Sequence, residues 1–296
     1  MSTAKILVAS DFSESSDEAL READASARLA GAKLAVVHVI PDVQQLNPLF
    51  PQGNLGSEFD VAGLISRVRT LLDERIKVVT GREPSEVERY VEVGLDYSEI
   101  IRRAEQYHPS LLFVGSLGKT GLTRVLMGSV AEKVVRYAHC PVVVVRPTKT
   151  RGVVIAATDM SKPSLDAVKV AADQASIRKA KLVVAHAIDF RGAAFFGELG
   201  SFFGGAQHAI DVPVVLGATK QALSGALESI GVTAEAVVLN GGPSAMIHDL
   251  AVERGAELVV VGTHGRTGLA RLALGSVAES IIRHVSCSVL AVRIRE

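Results

Sequence analysis

The sequence carries no net charge: Lys plus Arg and Asp plus Glu number 32 each. Division at Thr148 leaves 17 basic against 19 acidic residues before it and 15 against 13 after it, so neither half has a strong field. That excludes nucleic acid or an anionic membrane as the main expected partner. No run approaches the ~20 apolar residues of a membrane span. The opening apolar run, Ile6 to Ala9, lacks the length of a signal-peptide core, and a cytoplasmic location is expected. Only two cysteines occur, Cys140 and Cys287, at equivalent places before an apolar strand, where buried reduced thiols are expected. No His or Cys has a second ligand at zinc spacing, so His38, His186 and His139 read as structural. No nucleophile, base and orienting acid can be assembled either, so efficient catalysis is not expected of the chain.

What the chain does have is a soluble globular composition, 48% hydrophobic and 22% charged over 296 residues, enough for two domain cores. It also has an internal repeat. Asp11 matches Asp159, His38 matches His186, Gly115 matches Gly262 and Cys140 matches Cys287, at offsets of 147 or 148. The expected domains are 1–147 and 148–296, joined through the polar stretch Pro147 to Arg151.

Each copy opens with an apolar strand (Lys5 to Ser10; Val153 to Thr158), turns through Asp11-Phe12-Ser13 or Asp159-Met160-Ser161, and enters a helix. Ala19, Leu20, Ala23, Ala27 and Leu29 form the apolar face of the first such helix. Short Val-rich runs follow at Leu34 to Ile40 and Leu182 to Ile188, which read as strands buried on both faces and so as parallel sheet. The copies then diverge. The first has Asn47 to Gly53 and an amphipathic helix with Val61, Leu64, Ile65, Val68, Leu71, Leu72 and Ile76 on one stripe. The second has a Phe-rich loop, 195–205, expected to fold onto its own core or to act as a lid or partner-contact segment. Further strands (Arg89 to Val93, Leu111 to Gly115, Pro141 to Arg146; Ala234 to Leu239, Leu258 to Gly262, Ser288 to Arg293) alternate with helices such as Tyr97 to Gln106 and Ser244 to Arg254. The fold class expected is α/β, two tandem doubly wound domains with crossover helices on both sheet faces.

Chemistry is expected beyond the carboxyl ends of the first and fourth strands, if they flank the switch point. There each copy carries G-x2-G-x9-G-S: Gly115, Gly118, Gly128 and Ser129, then Gly262, Gly265, Gly275 and Ser276. Gly115 and Gly118 would let backbone approach a ligand, and Gly128 would leave the N–H groups of Ser129 and Val130 open to a phosphate. Against this, Ser129-Val130-Ala131-Glu132 and Ser276-Val277-Ala278-Glu279 each spell a capping box, which needs no ligand. Asp11 and Asp159 are equally readable as ligand contacts or as helix-capping material. A P-loop is excluded, since Phe113 stands where its first glycine belongs; so is the dinucleotide G-x-G-x-x-G, since Ser10-Asp11-Phe12-Ser13 follows the first strand. His264 lies inside the second loop, where the first has Leu117.

These residues resemble the universal stress protein family in its tandem, ATP-binding form. The likeness rests on Ile6-Leu7-Val8-Ala9-Ser10-Asp11-Phe12-Ser13 with Ser16 and Ala19-Leu20, on the glycine loop, and on Cys140-Pro141-Val142-Val143-Val144-Val145. It implies a Rossmann-like five-stranded parallel sheet per domain, the two pairing within the chain through their last strands, with a homodimer as a further option. It also implies a regulatory stress-response role with ATP bound in each domain and Mg²⁺ on its phosphates. By that resemblance Asp11 and Asp159 lie by the adenosine, and Val39 and Ala187 flank adenine. The loops would hold ribose and phosphates through Val114, Gly115, Ser116, Gly118, Gly128, Ser129 and Val130, and through Val261, Gly262, Thr263, His264, Gly265, Arg266, Gly275, Ser276 and Val277. A slow ATPase or nucleotidyl-transferring enzyme, and a chaperone-like protein with empty pockets, are the alternatives.

Overall fold

The computed structural model describes residues 4–42, 60–117, 127–148, 150, 152–190, 211–263 and 274–293. The chain divides into two compact units, Met1–Pro147 and Thr148–Glu296. The first contains β1 (Lys5–Ala9), α1 (Glu14–Ala30), β2 (Lys33–Pro41), α2 (Val61–Thr80), β3 (Glu88–Gly94), α3 (Asp96–Tyr107), β4 (Leu111–Gly115), α4 (Ser129–Tyr137) and β5 (Val142–Val145). The second contains β6 (Val153–Ala157), α5 (Lys162–Arg178), β7 (Lys181–Ile188), α6 (Val212–Ser229), β8 (Glu235–Asn240), α7 (Pro243–Glu253), β9 (Leu258–Gly262), α8 (Ser276–His284) and β10 (Ser288–Val292).

Within the first unit the strand order is β3-β2-β1-β4-β5, and within the second β8-β7-β6-β9-β10, every pair being parallel. The chain leaves β1 toward β2 and β3, then returns to the other side of β1 as β4. The order therefore reverses between β1 and β4, and between β6 and β9, and there the crossovers on either side part to leave a crevice. The central strands are buried throughout their middles: Ile6, Leu7 and Val8, Val36 and Val37, Leu112 and Phe113, and β5 from Val142 to Val145 are almost inaccessible. Burial on both faces is why they read as continuous apolar runs rather than alternating ones.

The helices are stopped by local chemistry. Ser13 caps α1 by accepting from the Ser16 N–H, and Gly31, at φ 61°, closes it with its N–H on the carbonyls of Ala27 and Arg28. Asp17, buried on α1, pairs with Arg75 of α2, and Asp24 with Arg82 beyond it. The stripe expected on α2 is only partly covered, for Leu72 and Ile76 are buried while Leu71 is 53% exposed. At the edge of the second sheet, hydrogen bonds from Lys181 and Arg254 hold the Glu235 carboxyl down at about 2. A short 3-10 turn at Pro84–Glu86, unannounced in the sequence pattern, leads into β3. Of the two thiols, both expected to be buried, Cys287 is buried and Cys140 only partly so.

Candidate functional site

Each switch point opens into a cavity, of about 390 Å³ in the first unit and about 310 Å³ in the second. In the first, Asp11, Val39, Val114, Gly115, Gly128, Ser129 and Val130 line it together. In the second, Asp159, Ala187, Val261, Gly262, Thr263, Gly275, Ser276 and Val277 do the same. Ser116 is buried beside the first cavity but off its wall, its N–H donating to Val145 O at 3.1 Å. Gly118, Gly265, His264 and Arg266, like the loop at 195–205 and Asn47 to Gly53, lie outside the described residues.

The start of α4 tests the capping box. The N-cap is Gly128 (φ −61°, ψ 147°), with no side chain bonding back, and Ser129 is the first helical residue. The reason lies in tertiary contacts: the Gly128 N–H donates to Ser116 O at 2.8 Å, pinning it to the end of β4, and the first helical bond runs from the Glu132 N–H to Gly128 O at 3.0 Å. A Ser cap would have to stand one residue earlier, so the capping-box expectation is corrected. The second unit repeats this, with Gly275 as N-cap, its N–H on Thr263 O at 2.9 Å and the Glu279 N–H on Gly275 O at 2.8 Å. The N–H groups of the first three helical residues have no intrahelical acceptor. In both units the first two of these residues, Ser129 and Val130 or Ser276 and Val277, line a cavity that the helix dipole makes favourable to an anion.

The carboxylate opposite serves the chain as well as the cavity. Asp11 Oδ1 accepts from the Ser13 N–H at 3.0 Å and the Ser13 hydroxyl at 2.5 Å, and Asp159 does the same for Ser161 at 3.0 and 2.5 Å. This turn puts the residue between them, Phe12 or Met160, into the left-handed region at φ 64° or 61°. Asp11 is thus not the cap itself but the residue that orients the cap, Ser13.

Sequence reading missed several wall residues that the repeat could have flagged. Ser16 and Ser164 are buried, line their cavities, and bond Ser10 Oγ at 3.4 Å and Thr158 Oγ1 at 2.8 Å. His38 and His186 also line the cavities, and Nδ1 of each meets a main-chain carbonyl, Ser10 O at 2.7 Å or Thr158 O at 2.8 Å. A carbonyl only accepts, so Nδ1 carries the proton in both rings. His139 instead sits outside the cavity, 2.8 Å from Glu105. Among the described residues no group of three or more His, Cys, Asp or Glu could hold a metal ion.

Gly115 also meets a constraint within the protein itself. A Cβ there would lie 2.7 Å from Ser15 Oγ and 2.8 Å from the Ser15 main-chain carbon and oxygen, so the close approach is to α1 and not only to a ligand. The Ser15 hydroxyl in turn accepts from the Leu117 N–H at 3.1 Å. Gly115→Ala is expected to destabilise the first unit by about 1–3 kcal/mol through overpacking. Urea unfolding measures this, and an unchanged midpoint would show that α1 yields at no cost.

Sequence comparison now bears on the site. The sequence model of the universal stress protein family matches residues 3–146 and again 151–293, nearly the whole chain. The chain belongs to the universal stress protein family. It is similar to Universal stress protein Rv2623 of Mycobacterium tuberculosis, 28% identical over 306 residues that cover 97% of this chain and 96% of that one. It is also similar to Universal stress protein MJ0531 of Methanocaldococcus jannaschii, 30% identical over 145 residues, 49% of this chain and 83% of that protein. Among solved structures, a universal stress protein from Archaeoglobus fulgidus superposes with a TM-score of 0.64 at 20% identity, covering 99% of both chains. That likeness speaks for the fold of a tandem universal stress protein. Among the described residues no helix is long and apolar enough to cross a membrane.

Proposed function

We propose that residues 1–147 and 148–296 are two universal stress protein domains, each binding one adenine nucleotide, and that occupancy regulates the protein in a cytoplasmic stress response. The observation that carries this reading is the bare start of α4 and of α8, where Gly128 and Gly275 cap without a side chain and leave N–H donors facing a cavity at the switch point. Such a terminus suits phosphate. The apolar wall from Val39 and Val114, or Ala187 and Val261, suits a base, and Asp11 or Asp159 suits ribose hydroxyls. Mg²⁺, where present, would neutralise charge on the phosphates. Pairing of the two domains through their last strands, and a homodimer beyond it, belong to the same proposal.

The regulatory reading is favoured over an ATPase or nucleotidyl-transferring enzyme because the described cavity walls bring together no nucleophile with a base and an orienting acid. Titration calorimetry with ATP and Mg²⁺ is expected to find two sites per chain, and steady-state phosphate release is expected to stay below ~0.1 per second, under the range of ordinary enzymes. Faster turnover would favour the enzyme. No nucleotide bound, by calorimetry or in purified protein, would favour the chaperone-like alternative.

A further inference from the structure

The two cavities share most of their walls but differ at the first residue of the helix after the third strand. α3 begins with Asp96, and α7, 147 residues on, begins with Pro243; each lines its own cavity. The position of Asp96 follows from the sheet. Gly94 pairs with Pro41 at the ends of β3 and β2, and Asp96 stands two residues later, so it lies beside the end of β2. The open N–H groups of α4 adjoin β4, whose end binds Gly128 through Ser116. β1 lies between β2 and β4. The cavity therefore runs from the start of α4 to the end of β2, and the start of α3, which packs beside α4 with the Tyr97 and Tyr137 rings 6.3 Å apart, adds a carboxylate to its wall in the first unit where α7 adds a proline ring in the second.

We infer that Asp96 is a specificity-determining residue that makes the first cavity favour a base presenting an amino group over one presenting a carbonyl oxygen, a preference the second cavity lacks at this position. This rests on the nucleotide reading above, which sets the base at the β2 end. An ionised carboxylate only accepts hydrogen bonds. It gains a charge-assisted bond from an exocyclic amine and repels the lone pairs of an oxo group at the same place. Pro243 neither accepts nor donates through its side chain. Asp96 also favours the N-terminal dipole of α3, but that effect is blind to the ligand.

ATP and ITP differ at this point of the base, amino in one and oxo in the other, and are the probes. Two blocked versions of the full chain separate the cavities: Ala187→Phe fills the second and Val39→Phe the first. In the Ala187→Phe chain, ATP is expected to bind about tenfold more tightly than ITP, as an unpaired or repelled polar group commonly costs. Adding Asp96→Asn should bring that ratio toward one, because an amide can turn to accept or donate. In the Val39→Phe chain, Pro243→Asp should raise the ratio severalfold. If a blocked chain fails to fold, the same ratios taken on the unblocked chain with and without Asp96→Asn decide the matter, since the overall preference for ATP should still shrink. An ATP-to-ITP ratio unmoved by Asp96→Asn, with both nucleotides still bound, overturns the role of Asp96 and leaves the nucleotide reading intact. Neither nucleotide binding to the unsubstituted chain overturns both.

Discussion

Replacing Ser129 and Ser276 together by proline is expected to weaken nucleotide binding about 100-fold or more at both cavities while the fold stays intact. Proline is well placed at the first position of a helix, where the N–H it lacks has no intrahelical acceptor. The residue before a proline must be extended, and Gly128 and Gly275 already are, at ψ 147° and 140°. The exchange thus removes one backbone donor and one hydroxyl from each cavity at little cost to α4 or α8. Hydrogen bonds to charged groups contribute about 1.5–3 kcal/mol each, so two lost per site reach the stated factor. Calorimetry beside a thermal melt makes the check. Full affinity in a folded double variant would remove the phosphate cradle from the protein, and a single variant, Ser129→Pro, should silence one site and leave the other.

Phe113→Ala should give the largest loss of stability. Phe113 is among the largest fully buried side chains, and in β4 it stands between Val8 of β1 and Val143 of β5. Its removal from the centre of the sheet should cost about 3–5 kcal/mol, transfer and cavity terms together. The position also lies two residues before Gly115, so the void opens beneath the switch point. Chemical denaturation of the first unit measures the loss. Val260 takes the corresponding place in the second copy, and Val260→Ala should cost less because fewer atoms leave. A loss below about 1 kcal/mol for Phe113→Ala would mean that neighbouring side chains refill the space.

The strands were legible in the sequence because burial on both faces writes itself as unbroken Val, Ile and Leu, and their observed ends lie within a residue or so of those expected. The switch point was legible too, since the repeat brought an Asp after the first strand and a glycine loop after the fourth into register twice. Other features depend on contacts that no local pattern encodes. The first helical residue of α4 is set by a bond from Gly128 back to Ser116, so four residues that spell a cap are shifted by one. The need for glycine at 115 comes from Ser15, 100 positions earlier in the chain. Asp96 escaped notice because the first turn of a helix is an ordinary place for an acid.

The bond between Asp11 and Ser13 has a consequence for watching the protein at work. A carboxylate that steadies the entry to α1 and also faces the cavity cannot change its engagement on one side without being felt on the other. On the proposed function, a ligand that engages Asp11 or Asp159 is therefore expected to alter the local opening of the helix start that follows the left-handed turn at Phe12 or Met160. Hydrogen exchange at the Ser13 and Ser161 amides, one per domain, is expected to change on nucleotide addition, and unchanged exchange with nucleotide bound would show that the ligand leaves the two carboxylates alone.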